Sequence, residues 1–177
     1  MTTPELDEEP HAADRPVAAR KYTNSSVKEL AANEYAHTEP LTTPVEQCFD
    51  WARELPDLVA TSHGALEFYL VVFRSIRKSS ANSDQLYSAD AAAHDEARLS
   101  GGLLKYWYGI LNERRECLAM CIWASRDEAV KAIHKPAHRE AMKLAPVMYD
   151  MYTLERYSLR IDANLCPTFT LLGSMSS

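Results

Sequence analysis

Residues 66–74 read LEFYLVVFR, with apolar side chains on odd and even positions alike. A strand sends alternate side chains to opposite faces, so this run fits only a strand covered on both sides. Residues 103–111 (LLKYWYGIL) and 117–123 (CLAMCIW) carry the same signature. Tyr106, Tyr108 and Ile110 oppose Trp107 and Leu111, and Leu118, Met120 and Ile122 oppose Cys117, Ala119, Cys121 and Trp123. A sheet with one wet face shows a cleaner alternation with polar residues. The chain must therefore lay material on both faces of one sheet.

The order of elements narrows the fold. Residues 84–99 are alanine-rich, with Leu86, Ala89, Ala93 and Ala97 at helical spacing, Ser83 or Asp84 as the cap and Gly101-Gly102 as the stop. A polar turn at residues 112–115 joins the second and third strands as a hairpin. Ser125 and Glu128 form a capping box, which predicts a helix starting directly after the third strand and interrupted at Pro136. Residues 152–161 (YTLERYSLRI) alternate as a half-buried strand does. Strand, helix, strand, strand, helix, strand is the α+β, ferredoxin-like βαββαβ arrangement, a four-stranded antiparallel sheet with both helices on one face. The economical cover for the other face is the same sheet of a second copy, which predicts a homodimeric α+β barrel around an apolar cavity.

Upstream, residues 44–55 suit a helix with Thr43 as N-cap, Pro44 in its first turn and Pro56 as its end, and residues 26–35 suit a shorter one. The expected division is a disordered acidic tail (1–25), an N-terminal helical extension (26–61), the barrel domain (62–165) and a C-terminal tail (166–177). Of the formal net charge of −6, Glu5, Asp7, Glu8, Glu9 and Asp14 supply most within the first fourteen residues. The remainder is close to neutral, so no broad field steers the chain onto nucleic acid or an anionic membrane. No apolar run reaches membrane-spanning length and no secretory signal opens the chain, so a cytoplasmic protein is expected. Cys48, Cys117, Cys121 and Cys166 lack CxxC spacing and read as free thiols. GxSxG, GxGxxG and P-loop patterns are absent from the sequence, which disfavours nucleotide cofactors.

Trp123-Ala124-Ser125, Glu128-Ala129, His134, Pro136, His138 and Ala141, followed by a strand, resemble the second half of dimeric α+β-barrel proteins of the antibiotic-biosynthesis-monooxygenase type. LAMCIWAS at 118–125, Pro136-Ala137-His138 with Ala141-Met142, and YTLERY at 152–157 resemble a protein family recorded chiefly in fungi. The resemblance covers residues 103–161 well, the first strand loosely and the N-terminal 60 residues hardly at all. It implies the barrel fold and leaves the reaction open, because the superfamily hosts cofactor-free oxygenases, isomerases, cyclases, lyases, heme enzymes and plain binders.

His134 and His138 are the leading candidates for chemistry. On one helix their spacing would stack both imidazoles on one face, usable for acid/base work or for a metal. Pro136 between them predicts two helices and diverging rings. No third ligand follows from local spacing, so no metal site is expected. His138 at the mouth of the cavity can move a proton, or can pack with one satisfied hydrogen bond. Arg156, with Arg160, shares a face of the last strand and can hold an anionic oxygen or guard an edge. Tyr69, Tyr106, Trp107, Tyr108, Trp123 and Met142 are the candidate wall of a small-molecule pocket, with strand parity undecided. The resemblance also raises heme. The axial histidine of heme-degrading relatives aligns with Met142 and a tryptophan they use with Ala132, and both departures count against it.

These residues suggest a small-molecule enzyme doing cofactor-independent acid/base chemistry, as a cyclase, isomerase, lyase or oxygenase. Its substrate would be a hydrophobic, carbonyl-bearing metabolite such as a fungal natural-product intermediate. The alternatives are a non-catalytic ligand-binding or dimerisation module and a heme-binding barrel. An RNA-binding module has the same element order, but CLAMCIW lacks the aromatic and basic third-strand motif that would require.

Overall fold

A computed structural model describes residues 39–176. The expectations for residues 1–25 and for a helix over 26–35 lie outside them. Within them the sequence builds β1 (Glu67–Arg77), α2 (Ser83–Ser100), β2 (Leu103–Tyr108), β3 (Glu116–Trp123), α3 (Arg126–Ile133), α4 (Pro136–Met148) and β4 (Tyr149–Ile161), preceded by α1 (Trp51–Thr61) and followed by β5 (Pro167–Ser176). Every strand pairs antiparallel, in the order β2-β3-β1-β4-β5. Four of these are the ferredoxin-like sheet that the sequence predicts. The fifth corrects the reading of 166–177 as a tail. The Asp162 carboxylate accepts from the backbone N–H of Asn164 and Cys166, both at 2.8 Å, and Leu165 takes φ 60°. That turn folds the C-terminal strand back onto β4.

Local signals act as read. Ser125 accepts from the Glu128 N–H and starts α3, and Pro136 opens α4 as its first residue. Asn82, one residue before the predicted caps, caps α2 by accepting from the Gln85 N–H at 3.0 Å. The N-terminal arm differs. A short 3-10 turn occupies Val45–Gln47, Thr43 donates its hydroxyl proton to the Glu39 carbonyl, and Asp50 rather than Thr43 caps α1. Pro56 lies inside α1 instead of ending it. The backbone bond it forgoes is offset by burial of Leu55 and Leu58 on either side, 0% and 1% exposed.

The larger correction concerns what covers the sheet. Phe68, Leu70, Val72, Trp107, Leu118, Met120, Ile122, Leu159 and Ile161 form one core with Val45, Cys48, Phe49, Trp51, Leu55 and Leu58 of the chain's own arm. The face assigned to a second copy is therefore packed by residues 45–58 of the same chain. Polar ties fix the arm there. Arg74 donates to the Pro40 carbonyl at 2.8 Å, and Lys105 reaches Glu54 at 2.6 Å with both side chains buried. Tyr69, Val71, Cys121 and Trp123 point the other way and pack with Ala97, Ala129 and Ala132 of the helices.

Candidate functional site

The cavity lies on the helix side of the sheet, inside one chain, and not between two sheets. It measures about 200 Å³ and is roofed by α2 and α4. Strand parity decides its floor: Phe73, Ser75 and Arg77 of β1, Tyr106 and Tyr108 of β2, and Cys117, Ala119, Cys121 and Trp123 of β3. Tyr149 and Tyr152 of β4 complete it. Leu86, Ala89, Ala93 and Ala97 of α2 face it, so the alanine stripe leaves room between helix and sheet.

Polar groups converge on this apolar shell. Tyr106 donates to the Asp90 carboxylate at 2.6 Å, and the His94 and Tyr106 rings lie 5.1 Å apart. Burial pushes the Asp90 carboxyl up, against the Tyr106 hydrogen bond and the charge of Arg77. Burial also pushes the Tyr106 phenol well above its usual range, with the Asp90 charge adding to it. The Cys117 and Cys121 thiols are raised by burial to about 11 and about 12, so neither is a ready nucleophile. Cys121 instead accepts from the Trp123 indole N–H at 3.0 Å.

His138 sits on the first turn of α4, where its backbone N–H donates to the Glu96 carboxylate at 3.1 Å. This carboxylate, on α2, caps an otherwise unpaired amide and fixes α4 against α2. Burial lowers the His138 pKa, with the Glu96 charge opposing it. The imidazole is therefore neutral at neutral pH, and its Nδ1 has no hydrogen-bond partner among the described residues. His94 is likewise lowered, by burial first and by the Arg98 charge second.

Of the residues singled out from sequence, His138, Tyr106, Tyr108, Trp123 and Met142 line the cavity. Four do not. His134 is exposed at the C-terminus of α3, parted from His138 by the break at Pro136. Trp107 faces the arm and meets Phe49 edge-on at 5.2 Å. Tyr69 is buried in the layer beneath α3 without reaching the cavity. Arg156 pairs with Gly173 of β5, beyond the cavity's edge. Sequence reading missed Arg77, Tyr87, Asp90, His94, Tyr149 and Tyr152. Asp90 and His94 carried a signal, being titratable and four apart beside the alanine stripe. Among the described residues no cluster of His, Cys, Asp or Glu could hold a metal ion. The residues do not fit heme either, since a cavity of about 200 Å³ is too small for a porphyrin.

The profile of the PB2B2.08-like family matches residues 6–169, and the chain belongs to that family. A relative, UPF0643 protein PB2B2.08 of Schizosaccharomyces pombe, is 34% identical over 139 residues, 72% of this chain and 61% of that protein. The chain thus spans less than two thirds of that relative's length. Among solved structures, protein SO0527 of Shewanella oneidensis is similar at 16% identity and a TM-score of 0.46, over 53% of this chain and 92% of that one. SnoaB, a cofactor-independent oxygenase of Streptomyces nogalater, is similar at 11% identity and a TM-score of 0.44, over 56% of this chain and 98% of that one. No helix among the described residues is long and apolar enough to cross a membrane.

Proposed function

We propose that this chain is a small-molecule enzyme that moves a proton on a hydrophobic, carbonyl-bearing metabolite held between its helices and its sheet. One observation carries the reading: a neutral His138 imidazole, its Nδ1 unpartnered among the described residues, borders an aromatic cavity. A base has to be unprotonated at working pH and within reach of the substrate's proton, and this imidazole meets the first condition and lines the space that would satisfy the second. Tyr106, Tyr108, Trp123 and Met142 shape the space around a flat ligand. At about 200 Å³ the cavity exceeds the roughly 150 Å³ that takes benzene, so it suits one or two rings. A non-catalytic binding module would be expected to lack converging polar groups, whereas Asp90, Tyr106, His138 and Arg77 all line this interior. Proton abstraction beside a carbonyl can initiate isomerisation, cyclisation, elimination or oxygenation, and the abstraction itself requires no cofactor.

The test needs no knowledge of the final product. One- and two-ring enolisable ketones are incubated with the protein in heavy water, and proton NMR follows loss of the α-proton signal. The protein accelerates exchange, and His138→Gln reduces that acceleration about a hundredfold with an unchanged melting temperature. Exchange that is no faster with the protein than without it, or equally fast with His138→Gln, overturns the proposal.

A further inference from the structure

Two arginines on β1 are buried, and they are treated differently. Arg74, 6% exposed, faces the arm and donates to the Glu155 carboxylate at 2.9 Å. Arg77, 5% exposed, has the opposite parity and ends the strand at the wall of the cavity. A register shift between Ile76 and Arg77 against β4 re-aims the backbone there. Its Nη1 reaches only hydroxyls, Ser83 at 3.5 Å and Tyr87 at 3.2 Å, and its guanidinium lies 4.9 Å from the centre of the Tyr87 ring. Its Nε is buried with no hydrogen-bond partner among the described residues. None of the ion pairs among the described residues includes it.

A buried guanidinium without an opposite charge is costly, and proteins normally supply a carboxylate, as this one does for Arg74. Asp90 does not fill that role, because Tyr106 holds its carboxylate and it comes no nearer Arg77 than a field effect. Tyr149, the register partner of Arg77 on β4, and Cys117, two positions along on β3, line the same cavity wall, and neither offers it a carboxylate. Planar, forked and always charged, guanidinium suits an oxyanion conjugated to a flat ligand.

We propose that the cavity takes a one- or two-ring ligand bearing an oxyanion, and that the Arg77 guanidinium is the group that holds this oxyanion. The inference rests on the reading of the cavity as a ligand site. It also moves anion stabilisation from Arg156, which the sequence suggested and which pairs with Val71 midway along β1, to the C-terminal end of that strand.

Benzoate and its neutral isostere benzamide are the probes, titrated against the full chain and followed by the fluorescence of Trp123 in the cavity wall. Benzoate binds at least about tenfold more tightly than benzamide. Arg77→Met abolishes that preference by weakening benzoate, so that the two probes bind alike, with a far-UV circular dichroism spectrum matching that of the unmodified protein; a preference retained in Arg77→Met overturns the inference. Arg156→Met, outside the cavity, retains the preference. Equal binding of the two probes by the unmodified protein overturns the inference and leaves the cavity's role intact. Binding of neither overturns both. Benzoylacetone separates two sources of the charge. An enolate absorption band with the unmodified protein and not with Arg77→Met means the oxyanion forms in the site, and benzoate preference without such a band means it arrives as a carboxylate.

Discussion

Ionisable groups around the cavity are displaced from their ordinary behaviour in opposite directions, and stability should record both. His94 and His138 have folded pKa values below 6.5, so each contributes stability that is full above that value and is lost as pH falls through the folded value. Asp90 is raised from 3.8, so its contribution is full below that value and is lost as pH rises through the folded value. Urea midpoints should therefore fall as pH is lowered from about 8 through 6.5, and His94→Phe should flatten that fall; with the series carried down to about pH 4, where the raised Asp90 carboxyl takes up its proton in the folded state first, Asp90→Asn should steepen it. Slopes unchanged by either substitution would contradict this assignment. At this scale the sequence showed only part of the site. His138 and the flanking tyrosines were legible because the polypeptide places them beside recognisable strand and helix boundaries. Asp90 and His94 were passed over because the helix was read through its alanines, and Arg77 because it lies beyond the apolar run that marked the strand.

Elements were legible where a local rule overrides everything else. Pro136 divides α3 from α4 because its ring admits no preceding helical turn, and the Ser125 cap starts α3 where its geometry demands. The Glu96 tie to the α4 amide was not legible, since it joins residues 42 apart in sequence. Gly101-Gly102 served as a stop for α2, but the structure gives the two glycines different work. Both take φ 81°. A Cβ on Gly101 would meet open space, whereas one on Gly102 would overlap Cβ of Glu128 at the start of α3. Gly101→Ala should thus cost only backbone strain, about 1–3 kcal/mol, since its φ 81° with ψ 169° is open essentially to glycine alone. Gly102→Ala adds to positive-φ strain a steric clash between α3 and the loop and should cost at least about 1 kcal/mol more than Gly101→Ala. Equal losses in urea unfolding would mean that α3 yields to the added methyl.

For the whole molecule, the doubly apolar strands correctly demanded cover on both faces, but they could not say whose. Either a second sheet or the chain's own arm can cover an apolar face, and the arm's helical stripe was too short to decide between them. In the structure Trp51 donates its indole N–H to the Val45 carbonyl at 3.0 Å, packs on Phe169 at 4.9 Å and is 5% exposed, so it locks the arm to β5. Trp51→Ala should cost about 3–5 kcal/mol. Cysteines report where the arm lies. Cys48, on the arm itself, is fully buried against the sheet and burial raises its thiol, Cys121 is buried on the helix side, and Cys166 is exposed. A thiol reagent under native conditions should therefore label Cys166 rapidly and Cys48 slowly. Trp51→Ala should speed Cys48 at least about tenfold through local opening, with Cys121 unaffected. An arm that left the sheet so that a second copy could close a barrel would expose Cys48 in the unmodified protein, and its labelling would then match that of Cys166. Slow labelling of Cys48 places the arm on the sheet in solution and confines any pairing of two copies to surfaces outside this face.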